Sequence, residues 1–163
     1  PLMPKIGLQL TVPSDMRVLK WFGRGPHENY VDRKISAEVG IYHSSTEQQF
    51  HDYSRPQESG NKTDTRWFTL SNAGNVGLKF SSAELFQFSA MPGAKNFLYD
   101  KADVPRHVAK IDFPDSNVVR LDHLHMGVGG DNSWGALPHP EFLIKAMPYT
   151  FSFTMEPIDE KAN

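Results

Sequence analysis

The sequence predicts an all-β domain, an antiparallel sandwich or barrel, on three observations. Two runs alternate apolar and polar residues with a period of two. Several shorter runs rich in β-branched and aromatic residues follow at short spacing, and turn residues punctuate them. No long segment keeps its apolar residues at helical spacing. With 163 residues, the chain fits one domain with a sizeable core.

The elements follow in order. Ile6, Leu8, Leu10 and Val12 alternate with Gly7, Gln9 and Thr11, so one strand face is apolar and the other mostly polar. Arg17 to Phe22 is the next β-rich run, and Ser44 to Tyr53 holds either a helical turn or a short strand. Arg66 to Leu70 and Val76 to Phe80 are joined by the turn Asn72-Ala73-Gly74-Asn75, and Leu85 to Ala90 and Val118 to Met126 are further strands. Tyr149, Phe151, Phe153 and Met155 alternate with Thr150, Ser152 and Thr154, which marks a second clear strand. Met91 to Pro114, rich in Pro, Lys, Asp and Ala, is expected as a long excursion between strands. The polar tail after Glu156, residues 157–163, is expected to fray.

Composition bounds the function. The net charge is −2 with Lys and Arg dispersed among Asp and Glu, which makes no nucleic-acid footprint. No apolar run reaches the roughly 20 residues needed to cross a bilayer, and Pro1 to Lys5 is no signal-peptide core. A start at proline leads us to expect a piece of a longer protein, and the compartment stays open between cytoplasm and periplasm. The absence of cysteine excludes disulfides and thiol catalysis.

The most informative stretch runs from Met126 to Trp134. Gly127, Gly129 and Gly130 open backbone angles closed to other residues, and Asp131 and Asn132 tolerate left-handed geometry while bonding their own backbone. Such a loop presents a flat aromatic at its end. Trp134 then either stacks on the apolar face of a sugar or caps a core at a strand end. Two polar segments, Gly23 to Lys34 and Arg55 to Trp67, combine turns with many donors and acceptors. There Arg24, Arg33, Arg55 or Arg66 is expected to pair with Glu28, Asp32, Glu58 or Asp64, in loop networks, an interdomain surface or a ligand site. The sequon Asn61-Lys62-Thr63 is given no role.

These motifs carry a resemblance. Gly23-Arg24-Gly25-Pro26-His27-Glu28-Asn29-Tyr30 with Asp32-Arg33-Lys34 is the first, and Arg55-Pro56-Gln57-Glu58-Ser59-Gly60-Asn61 with Arg66-Trp67 is the second. With His125-Met126-Gly127-Val128-Gly129-Gly130-Asp131-Asn132-Ser133-Trp134 and Pro148 to Phe153, they resemble the C-terminal small-chain domain of LacZ-type β-galactosidases in glycoside hydrolase family 2. The likeness runs from Ile6 to Phe153. Asn132 stands where the family commonly has a second Asp, a change that suits the same turn.

The resemblance implies an antiparallel supersandwich of the galactose mutarotase-like kind, of which this chain is the C-terminal part. It implies a parent that hydrolyses terminal β-galactosides such as lactose with retention, through two carboxyl groups about 5 Å apart. Those carboxyls and the magnesium ligands belong to a separate TIM barrel, so the chain alone is expected to be inactive. Its partners would be that barrel, the remaining β domains of the parent, which is expected to be a homo-oligomer, and the β-galactoside. Trp134 matches the family's sugar-stacking tryptophan, carried by Gly127, Gly129, Gly130, Asp131 and Asn132. No catalytic role is given to His27, Glu28, Arg55 or Glu58, and Asp131 is read as shaping its turn. Alternatives are a non-catalytic carbohydrate-binding module and an aldose mutarotase-like enzyme. The second would use His123 and His125, expected on one strand face, with Glu141. The same His pair lacks a third ligand at clear spacing and is a weak metal signal.

Overall fold

The computed structural model describes residues 2–51, 53–54, 57–93, 116–132 and 134–159, all strand, turn and loop, with no α-helix among them. The strands are β1 (Lys5–Pro13), β2 (Val18–Gly25), β3 (Glu38–Ser45), β4 (Lys62–Ser71), β5 (Val76–Pro92), β6 (Ser116–His125) and β7 (Thr154–Asp159). Short 3₁₀ turns occupy Glu47–Gln49 and Pro140–Phe142. All pairings are antiparallel, in one seven-stranded sheet of order β1-β6-β5-β4-β2-β3, with β7 added beside β5. The all-β antiparallel class expected from the alternation is the class observed.

The connection from β1 to β2 forces the sheet to curl. Four strand spacings separate them, about 19 Å in a flat sheet, whereas the five steps from Pro13 to Val18 reach about 18 Å only when fully extended. That link is folded into a turn, with the Met16 N–H bonded to the Pro13 carbonyl at 3.2 Å. The ends of the sheet therefore bend toward each other, and the Asn117 side-chain amide pins the turn by donating to the carbonyls of Pro13, Ser14 and Met16.

The core lies inside the curl. Leu19 and Trp21 of β2, Phe68 and Leu70 of β4, Phe80, Phe86 and Phe88 of β5, and Val119 and Leu121 of β6 all point into it. Phe68 stacks between Phe80 and Phe88, with ring centroids 4.6 and 4.2 Å apart. The opposite face of the β1-β6-β5 half carries Gln9, Arg120, Asp122, Gln87 and Ser89, and most of these are also buried. The second polar segment reaches that face through Asn61, whose side-chain amide donates to Gln87 Oε1 at 2.9 Å.

Several expectations change. Val76 to Phe80 and Leu85 to Ala90 form one strand rather than two, β5 being interrupted only by irregular register where Ser81 to Phe86 oppose Trp67 to Thr65. That irregularity also corrects the strand expected from Tyr149 to Met155. Opposite Phe153 and the residues before it, β5 has left the ladder, so pairing starts at Thr154 with Ser81. Phe151 instead packs on Phe86 and His123. The fraying expected from residue 157 is also corrected, because Pro157, Ile158 and Asp159 pair with Leu78, Gly77 and Val76. Residues 160–163, and 94–114 of the expected excursion, lie outside the described residues, while Met91 and Pro92 belong to β5. β3 was not foreseen; its Val39 and Ile41 are exposed.

Candidate functional site

The buried polar layer is built from its side chains. Asn29 is fully buried; its carbonyl oxygen Oδ1 accepts from Thr63 N–H at 2.8 Å and Thr63 Oγ1 at 2.6 Å. Asn61 returns a bond to the Asn29 carbonyl and another to Gln87, both at 2.9 Å. Glu28 accepts from Arg33 and the Gly60 N–H, each at 2.7 Å, and from the Tyr53 hydroxyl. Asp64, with φ of 50°, sits at the irregular start of β4 and receives Arg24 at 2.5 Å and Lys34 at 3.0 Å. Of the arginine pairings expected, Arg24 with Asp64 and Arg33 with Glu28 form. Arg66 bonds the Asp64 carbonyl and lies over Phe22, and Arg55 lies outside the described residues. Asp32 and Glu58 take other partners.

Glu58 faces Lys5 at 2.8 Å and His125 at 3.9 Å. Burial pushes the Glu58 carboxyl up, but His125 and Lys5 outweigh it and hold it at about 2. Asp122 goes the other way: burial pushes it to about 6 against the pull of Lys5 and His125. Burial also lowers the Lys62 ammonium to about 8; it donates to Gln49 at 2.8 Å and sits 5.3 Å from the Trp21 ring centre.

His123 and His125 do not act together. A bulge between Ile6 and Gly7 of β1 leaves an extra residue on β6, so His123 meets Glu84, Tyr149 and Phe151 while His125 meets Glu58 and Tyr30. Glu141 stands by His139 instead, 4.0 Å away. The juxtaposition required by a mutarotase-like reading is thus not formed. Among the described residues, no group of three or more His, Asp or Glu is placed to hold a metal ion.

At the end of β6 the chain enters the glycine-rich loop. Its base is fixed by the Met126 N–H to Pro4 at 2.9 Å and the Gly127 N–H to Phe142 at 2.9 Å. Higher up, a Cβ at Gly130 would stand 2.2 Å from the Ala136 carbonyl oxygen, so only glycine lets the outgoing and returning chains pass this closely. Asp131 bonds His139 at 2.7 Å across the same two arms, and with Glu141 it raises the His139 imidazole above its usual range. Asn132 Oδ1 accepts the Trp134 N–H at 2.8 Å, the local turn expected of that residue. Trp134 is at the tip, 94% exposed, and no part of the core. At the arms of the loop a depression of about 210 Å³ is lined by Asp32, Gly129, Gly130, His139 and Phe142.

Sequence reasoning did not find Asp32, His139 or Phe142 at this loop. Asp131 and His139 meet across the loop, and Asp32 approaches it from 97 positions away, so neither contact leaves a local pattern in the sequence. A larger depression of about 480 Å³ lies on the outer face of β2, β4 and β5, around Trp67, Lys20 and Lys79. Its lining includes His43 and, among the described residues, no carboxylate.

These observations define an antiparallel all-β module with a buried polar layer and a glycine-rich loop that leaves Trp134 in solvent. The chain belongs to the beta galactosidase small chain family, which it matches over residues 1–155. It is 40% identical to a beta-galactosidase of Priestia megaterium over 97% of this chain and 15% of that protein. It is 37% identical to the beta-galactosidase of Streptococcus thermophilus over 98% of this chain and 15% of that protein, and 38% identical to that of Vibrio cholerae over 95% and 14%. The chain thus spans about one seventh of the length of these curated relatives, as part of a larger protein.

Proposed function

We propose that the chain is an accessory domain of a β-galactosidase and completes the active site of a separate TIM-barrel domain with a sugar-stacking tryptophan. The observation that carries the reading is Trp134, 94% exposed at the tip of a loop held at base, arms and tip. An indole buries about 150–250 Å² when packed, so leaving it in water forgoes about 4–6 kcal/mol of apolar burial. A braced loop that keeps such a ring exposed suits a contact made outside this chain. A sugar's C–H face is the ligand class that fits, in a family whose relatives are named beta-galactosidase.

In this reading the carboxyl acid/base, the nucleophile and the magnesium ligands are the barrel's, and this chain supplies binding. The sheet described here is one part of a supersandwich whose remainder belongs to the parent, together with the other β domains and the homo-oligomer. Trp134 acts on the β-galactoside, lactose among them, by holding the sugar plane while the barrel carboxyls react.

The test is Trp134→Ala in the intact enzyme. Losing one aromatic contact costs on the order of 1–3 kcal/mol, so KM should rise roughly 5- to 150-fold with the smaller effect on kcat, and Trp134→Phe should recover part of it. An unchanged KM in the folded Ala variant rules the platform out. The chain alone should release no nitrophenol from a β-galactoside chromogen.

A further inference from the structure

Asp32 and Gly129 stand 97 residues apart, yet the Gly129 N–H donates to Asp32 Oδ2 at 2.8 Å. The carboxylate also fills space under the loop. A Cβ on Gly127 would meet Asp32 Oδ2 at 2.6 Å, Asp32 Cγ at 2.8 Å and Phe142 Cβ at 3.0 Å. Gly127 has no room for a side chain because Asp32 and Phe142 occupy it, whereas Gly129 keeps an ordinary 3.5 Å to the same oxygen. Asp32 Oδ1 is buried with no hydrogen-bond partner among the described residues, while Oδ2 takes the Gly129 N–H at the rim of the depression.

Asp32 is itself held in place. Tyr30 and Arg33 exchange backbone hydrogen bonds at 3.1 and 2.8 Å around it, and the Arg33 guanidinium lies over the Tyr30 ring while bonding Glu28 at 2.7 Å. The Tyr30 ring in turn packs edge-on against His125, the last residue of β6 before the loop, with centroids 5.4 Å apart. The first polar segment of the sequence is therefore tied to the buried layer at one end and braces the glycine-rich loop at the other.

We propose that Asp32 is a positioning residue for Trp134: its carboxylate sets the arc from Gly127 to Gly130 and so the direction in which the indole is presented to sugar. This rests on the platform reading of Trp134, and its test separates the two. In the intact enzyme, KM and kcat are measured for Asp32→Ala, Asp32→Asn, Trp134→Ala and the Asp32→Ala/Trp134→Ala double variant. Hydrogen–deuterium exchange is followed in the peptide Met126–Trp134.

Asp32→Ala should speed exchange in that peptide and raise KM severalfold with kcat little changed. Asp32→Asn keeps the acceptor and the volume and should stay within about twofold of the parent. In the Trp134→Ala background, Asp32→Ala should add less than about twofold, because the group it positions is gone. Equal KM increases in both backgrounds overturn the proposal, as does a folded Asp32→Ala variant with unchanged exchange and KM. If Trp134→Ala leaves KM unchanged, the platform reading falls alone and the exchange result decides whether Asp32 braces the loop. Should Asp32→Ala not fold, Gly127→Ala presses on the same contact from the other side and should raise both exchange and KM; no change in either overturns the proposal.

Discussion

Trp21 and Trp134 are the same side chain put to opposite uses. Trp21 is 1% exposed in β2: its indole N–H donates to the Arg24 carbonyl at 3.0 Å, and its ring meets Phe88, Tyr42 and the Lys62 ammonium. Trp134 is 94% exposed, and its ordering comes from the backbone around it rather than from packing of the ring. The curled sheet spends its aromatics on stability, whereas the glycine-rich loop holds one in reserve.

Substitution breaks this contrast from both sides. Trp21→Ala should have the largest effect, about 3–5 kcal/mol of stability by the usual cost of a large-to-small core change, read from denaturant midpoints. Asn29→Ala comes next: it strands the buried Thr63 N–H and hydroxyl without their acceptor, at about 1–3 kcal/mol for each such group, and the same titration should show it. Trp134→Ala should sit at the other extreme, within about 0.5 kcal/mol of the parent chain in stability, as expected of an exposed side chain. A loss near that of Trp21→Ala would mean the two regions are not separate.

The buried layer adds a pH signature of its own. Asp122 is raised in the fold to about 6, so the folded state holds its proton more tightly than the unfolded chain does. Its contribution to stability therefore falls as pH rises from about 4 to about 6, by on the order of 3 kcal/mol, and is flat above. Glu58 has the opposite sign: it is held at about 2, so its contribution is present above the ordinary carboxylate range and lost as pH falls toward 2. Stability measured from pH 7 down to pH 4 should gain from Asp122, and Asp122→Asn should remove that gain. An Asn variant with the parent's pH slope over this window would show that Asp122 is not the group responsible.

The residues themselves determined the class of fold, the position of the loop and the relatives to which the chain belongs. Alternation at Ile6 to Val12 survives because a strand with one face in the core has no other way to satisfy its side chains, and Gly127 to Trp134 reads as a shaped turn because its residues permit little else locally. β3 was harder to see, since an edge strand with exposed Val39 and Ile41 leaves no clean periodic trace. Tyr149 to Phe153 misled for a related reason: their alternation was genuine, but their partner strand leaves the ladder opposite them. His123 and His125 parted faces through one extra residue in a bulge, which spacing along a chain does not reveal. Only the tertiary structure decided which polar groups meet: Glu58 with Lys5 and His125, Asp64 with Arg24 and Lys34, and Asp32 with the Gly129 N–H. Local sequence sets backbone preference and periodicity over a few residues, but a contact across 97 positions exists only once the sheet has curled and brought its loops together.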